Sequence, residues 1–379
     1  ISDDTLEADR HWRPDWTRDD AGVLEARAFE QVTRFDALNR VVEQQLPRDV
    51  TDKRRIVRPY YNRAGALEAV EVDGARVVER IAYDAKGQRT LEVHGNGVLQ
   101  RWAYDAETFR LVRSRAERLD PVQTTPLRLV PAHREPDLPD RDRVLLRDTA
   151  HGYDLVGNIV GIKERSPGCG ISNTNALDRA FGYDPLYRLT RATGREADVQ
   201  PAKPWITSPQ NDATATRPYE ERYEFDDAGN LIRLRHAWDN FAVNAWVREL
   251  VPEDGSNRLK VMNPGPAQTA YEFDPAGNML SETNSRRMSW DHADRMKAFR
   301  TDDTTTVSLR AQYLYGADGM RVKKFVRTQG GDVRSTTYLG EAFEARREGG
   351  SYNDEVRVGP VRMVLGEPFD GDPRAHDEE

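Results

Sequence analysis

The amino-acid sequence predicts an all-β fold, a long strip of antiparallel β-hairpins. Three observations carry this expectation. A short phrase recurs along the chain: an aromatic residue, then Asp or Asn, a variable stretch often holding Gly, a polar residue and an apolar one. The stretches between copies alternate apolar and polar residues, as in "VERIAYD" at 78–84 and "ERYEFDD" at 221–227, the period of half-buried strands. The closest copies stand some twenty residues apart, which is the length of one hairpin with its connections.

Taken in order, the copies begin at Phe35-Asp36, Tyr61-Asn62, Tyr83-Asp84 with Gly87, and Tyr104-Asp105. They continue at Tyr153-Asp154 with Gly157, Tyr183-Asp184 with Arg188, Phe225-Asp226 with Gly229, Phe273-Asp274 with Gly277, and Trp290-Asp291. Tyr315-Gly316 opens a degenerate copy that keeps Gly319 and Arg321, and "GSNRL" at 255–259 keeps only the back half. Each part has a physical task. The aromatic ends a strand. The Asp side chain hydrogen-bonds its own backbone two residues on and starts a tight turn. Gly supplies a positive φ. The apolar residue then returns the chain to the buried face. These residues are therefore read as turn architecture and not as catalytic groups.

About ten such units give roughly twenty strands, a strip some 95 Å wide at ~4.8 Å per strand. Open twisted sheets rarely exceed about ten strands without curling, so the strip is expected to wrap into a spiral with two open rims. Residues 1–29 read as a lead-in and 30–117 as repeats. Residues 118–149 form a proline-rich, charged excursion. Repeats resume over 150–345 with a proline-rich insertion at 197–219, and 346–379 reads as a strand remnant and polar tail.

Of 379 residues, 37% are hydrophobic and 32% charged, polar for a compact globule, while aromatics at 8% argue against disorder. The net charge of −8 gives no general attraction to nucleic acid or anionic membranes. Arginine outnumbers lysine 48 to 8. Arg forks onto carboxylates and stacks on rings, which suits cross-strand rows; a GC-rich genome explains the excess equally well. The one cysteine, Cys169, excludes an intrachain disulfide. No apolar run reaches the roughly 18 residues of a membrane span. The first residues, "ISDDTLEADR", lack Met and the features of a signal peptide, and the chain reads as a processed or excised piece.

The aromatic–Asp phrase, and above all "FGYDPLYRLTRATGRE" at 181–196, resembles the YD or RHS repeat of bacterial RHS proteins and of the C component of insecticidal toxin complexes. The resemblance covers roughly residues 30–345. It implies a β-strip spiralling into a hollow shell, here only a sector of it. Such a shell encloses a toxic C-terminal domain, which a self-cleaving aspartyl protease at the end of the conserved core releases. The implied partners are the remaining shell segments on the same or a separate chain, the enclosed toxin domain and a delivery component, in some relatives a type VI secretion spike. Secretion or delivery to a target cell follows. The paired phrases that end the conserved core are missing. No spike, propeller or separate toxin domain is recognisable.

A search for chemistry yields no catalytic, cofactor or metal residue. The seven histidines at 11, 94, 133, 151, 236, 292 and 376 lack the H-x-x-x-H spacing of a zinc site. Asp370 and Asp372 are close enough in sequence for a proton-sharing pair, but read as an acidic tail. Cys169 and Ser172 in "PGCGIS" have no assignable base. "HGNGV" at 94–98 lies between strands and reads as a hairpin turn. Two alternatives to the shell remain: a teneurin-like adhesion or glycan-binding surface, and a fragment of the autoprocessing protease. The tryptophans are spread too evenly to mark one sugar groove.

Overall fold

A computed structural model describes residues 27–119, 143–166, 177–198, 216–263, 268–283, 285–302, 307–349, 351–358 and 361–365. Residues 1–26 of the lead-in, the middle of both proline-rich stretches, Cys169, Ser172, Asp370 and Asp372 lie outside the described residues.

The chain folds into 26 strands, from Val32–Phe35 to Val361–Leu365, in one sheet. Every strand pairs antiparallel with its neighbours in sequence, from the first ladder to the last. The strand count exceeds the expected twenty. Hairpins whose phrase has eroded, at residues 253–258, 316–320 and 340–342, still turn the chain and add strand pairs. At ~4.8 Å per strand the strip measures about 120 Å across.

Because strands alternate in direction, all the aromatic–Asp turns fall on one rim. The connections from Leu119 to Arg143, from Glu164 to Arg179 and from Ala197 to Thr216 leave from the opposite rim. The long connections and the aromatic–Asp turns are therefore segregated, and the opposite rim carries tight turns of another kind, as at Asp49 and His94.

Cross-strand partners point to the same side of a sheet, so a face can be followed along the strip. The face carrying Val57, Val72, Val70 and Val78 continues through Glu92 and Trp102. It runs on through His151, Ala192 and His236. Met262, Arg286, Ala311 and Arg346 complete it. Phe343, Ala345 and Val356 lie on the other face near the far end. Yet these three pack with Leu46, Val57, Val70, Val72, Val78 and Ile81 in a single buried cluster. Opposite faces of the two ends meet. A sandwich would bring like faces together; a rolled strip brings opposite ones.

The overlap is tied at its margin. Arg27 forks onto the buried Asp354 carboxylate at 3.0 and 2.6 Å and donates to the Arg48 carbonyl at 2.8 Å. Phe29 meets Phe343 edge to face, with ring centroids 6.5 Å apart. Burial pushes the Asp354 carboxyl up, and Arg27 pulls against it.

Phe343 is fully buried at this overlap. Phe343→Ala is expected to lower stability by about 3–5 kcal/mol, read by chemical denaturation. A loss under about 1 kcal/mol would mean that the two ends do not pack.

Candidate functional site

The turn rim is built from one repeated device. In the Asp184 turn the Oδ1 atom accepts from the Leu186 and Arg188 amides, both at 2.9 Å, while Oδ2 accepts from Arg188 Nε. Asp36 does the same with Leu38 and Arg40, and Asp291 with Ala293 and Arg295. Asp84 takes the Lys86 and Gln88 amides, and Asp105 those of Glu107 and Thr108. At Asp154, Asp226 and Asp274 an Asn side chain, from Asn158, Asn230 and Asn278, replaces the Arg.

The third residue after the Asp takes a positive φ. Gly87, Gly157, Gly229 and Gly277 do so at 81°, 111°, 89° and 98°. Asn39 and Asp294 stand in for glycine, and so does Tyr187 at 63°. Phe109, one place later in a longer turn, adopts 58°.

Each of these turns is followed by a register shift on leaving the hairpin, as at Phe35, Tyr61, Tyr83, Tyr104, Tyr183, Phe225 and Tyr315. Such β-bulges bend a strand and increase its twist. The aromatic then ties hairpin to hairpin. Tyr61, Tyr83, Tyr153, Tyr183 and Tyr315 donate their hydroxyls to the carbonyls of Val41, Leu67, Leu111, Ile159 and Met296, at 2.7–3.0 Å. Trp290 does so through its indole N–H to Met279. Each acceptor is the first residue of the strand leaving the preceding turn. The Arg that closes a turn reaches the next aromatic: Arg40 stacks over Tyr61, Arg188 over Phe225 and Arg295 over Tyr315, each within 5 Å. Gly157 has a second constraint, since a Cβ there would meet the Arg110 guanidinium at 2.7 Å.

Two further groupings were invisible in the sequence. On the face of Ala192, His236 is sandwiched between Tyr219 and Trp246, with ring centroids 5.5 and 5.1 Å away. Its Nε2 lies 3.1 Å from Glu196 and its Nδ1 3.2 Å from Glu221. Trp238 leans on the same ring, and Arg217 covers Trp238. Burial, then the bond to Glu221, pushes the Tyr223 hydroxyl up. No sequence pattern links these residues, because cross-strand register alone assembles them. On the other face, buried Glu117 receives Arg101 and Arg115, while Asp148 receives Arg113. Arg113 holds the Asp148 carboxyl below the usual range. Each carboxylate thus faces guanidinium groups, and the cluster is an ion-pair network. Among the described residues, no three His, Cys, Asp or Glu are grouped to hold a metal ion.

No family model matches the chain. Among characterised proteins it is similar to two toxin subunits of Yersinia entomophaga. It is 24% identical to YenC2 over 90% of this chain and 39% of that protein, and 27% identical to YenC1 over 74% of this chain and 28% of that one. The chain thus spans well under half the length of these relatives. Its fold superposes on a chain of the TcdB2-TccC3 crystal structure with a TM-score of 0.72, at 24% identity, over 94% of this chain and 17% of that one. The Photorhabdus luminescens Tc holotoxin pore gives 0.73 at 23% identity, over 96% and 17%. The fold is that of an RHS shell wall. Its sheet is a sector of an RHS wall, and the relatives are subunits of toxins.

Two expected outcomes test the turn device of this RHS wall. Gly229 has φ 89°, and a Cβ placed there would meet nothing within 4 Å, so substitution probes backbone strain alone. Gly229→Val is expected to lose about 1–2 kcal/mol, and Tyr187→Gly to lose nothing or gain. Equal melting of Gly229→Val and the parent would mean that the turn adds nothing to stability. The second outcome concerns pH. The Arg40 and Thr108 amides depress Asp36 and Asp105, and the Asn230 and Asn278 side chains depress Asp226 and Asp274. Burial opposes the shift at Asp154, Asp184 and Asp291, and hydrogen bonds outweigh it. A depressed carboxyl adds stability that is complete above its unfolded pKa, about 3.9, and is lost as pH falls through the folded value. Melting followed by circular dichroism should fall below about pH 4 as the turn carboxylates protonate, while Asp354, raised by burial, acts in the opposite direction as pH drops through its folded value.

Proposed function

We propose that this chain is a structural wall segment of a secreted bacterial toxin, and that the wall shields an enclosed toxic polypeptide. The observation that carries the reading is the rolled strip: one sheet of 26 strands whose opposite faces meet at the overlap. A wall of this kind excludes proteases and solvent by geometry and needs no reactive group. The turn residues Asp36, Asp84, Gly87, Asp105, Asp154, Gly157, Asp184, Arg188, Asp226, Gly229, Asp274, Gly277 and Asp291 act as its hinges. Its partners are further wall segments, the enclosed domain and a delivery component. Both faces carry arginine–carboxylate pairs, so contacts to a cargo are many and individually weak.

The similarity to YenC1 and YenC2, both toxin subunits, supports this reading over adhesion. The His236 patch gives the glycan alternative its one concrete locus, with Trp246 at 38% exposure. Limited proteolysis of the assembled shell with its cargo decides between them. The cargo should survive a protease concentration that digests it when freed by wall mutants such as Phe343→Ala. Cargo digested equally in both samples would rule out containment.

A further inference from the structure

The face that carries Ala192 and His236 also gathers cations that the sheet leaves unbalanced. Arg147 and His151 share this face on the strand Arg143–Tyr153, four residues apart. His151 stands opposite Ile162, and Ile162 opposite Arg179. Arg179 is thus two strands from His151 in one row, about 10 Å of backbone away. Arg147 and Arg179 are both exposed. Among the described residues neither guanidinium forms an ion pair or a hydrogen bond. Elsewhere an arginine standing between strands holds a carboxylate, as Arg58 holds Glu43 and Arg191 holds Glu220. Here the carboxylates of the neighbouring strands are engaged. Glu164 accepts from the Ser166 amide at 3.0 Å and from its hydroxyl, and Glu196 pairs with Arg217 and His236.

The imidazole beside these cations makes a second, independent observation. His151 Nδ1 is buried, and no described group hydrogen-bonds to it. A buried polar atom left without a partner is costly and needs a reason. Burial first, then Arg147 and Arg179, pushes the imidazole below its ordinary value, so both cations act on this ring. Gly194 makes room for one of them. A Cβ there would meet Arg179 Cγ and the Tyr219 ring and hydroxyl, each at 3.1 Å.

We infer that Arg147, His151 and Arg179 form a binding site for a phosphate group. Guanidinium forks match phosphate oxygens and bond to them in pairs. A carboxylate carries one charge and is filled by one fork. A phosphate group has three oxygens and close to two charges near pH 7, which suits two forks and a ring N–H. The neutral imidazole can present that N–H at Nδ1. The site stands apart from containment, since it would hold its ligand whether or not a cargo is enclosed.

Titrating inorganic phosphate into the chain, with the histidine rings followed by nuclear magnetic resonance, tests this. The His151 signal, identified by its loss in His151→Gln, should shift and saturate. Its titration midpoint should move to higher pH with phosphate bound, because a nearby anion favours the protonated ring. Arg147→Gln and Arg179→Gln should each weaken binding at least about tenfold, with melting unchanged. Lys163→Gln removes an exposed cation from the opposite face of the strand between them and should change binding less than about twofold. A His151 signal that does not saturate overturns the inference. So does a shift that survives both arginine substitutions, or one that Lys163→Gln weakens equally. A phosphoserine peptide run in parallel assigns the source. Binding about tenfold tighter than inorganic phosphate upholds the site and names a phosphorylated chain as its ligand; equal binding upholds the site and names free phosphate.

Discussion

The carboxylate that collects backbone amides at the start of each turn is the interaction on which the rest depends. A turn at the rim of a sheet strands N–H groups without ladder partners, and a missing partner there costs about as much as a hydrogen bond. The aspartate supplies the acceptor from within the same five residues. Once the amides of Leu186 and Arg188 are bonded to Asp184, the loop length is fixed. The residue after it enters a bulge, and the bulge repeats at the same height in hairpin after hairpin. The bulges beside the aromatic–Asp turns all lie on one rim, so the bends of this recurring set add instead of cancelling. A flat ribbon is thereby converted into a roll.

This accounts for the polar composition. A wall one sheet thick has two faces and little interior. Apolar clustering concentrates where the ends overlap, around Phe343, Val356, Leu46 and Val57. Elsewhere neighbouring strands are held by Arg–carboxylate contacts such as Arg58 with Glu43 and Glu71, Arg191 with Glu220, and Arg346 with Glu355. Directly opposed charges of opposite sign stabilise a strand pair without needing a second layer. Arginine suits this task because one guanidinium can serve two strands and cover a ring at the same time, as Arg188 does.

The turns and the strand alternation were legible because both are local: five residues state a turn, and seven state a strand. The strand number was undercounted where the phrase decays, since the hairpin at 340–342 has no aromatic–Asp signature yet pairs in register. The bulges were not legible, because the extra residue looks like any other strand position. The overlap was out of reach for a different reason. Nothing near Arg27 signals a partner 327 residues away, and the rolled geometry sums small twists over the whole strip. The same holds for His236, whose ring neighbours come from three strands.

The strand order, in which every pairing joins neighbours in sequence, bears on how such a wall is made. Local pairing keeps loop-closure entropy low and folding fast. A chain leaving the ribosome can add one hairpin at a time to a finished edge, with no segment waiting for a distant partner. The distant contact of Arg27 and Phe29 with the last strands can form only when this stretch is nearly complete. Until then the roll stays open along its side. The overlap is therefore a seam along the side of this stretch, the last part of it to close.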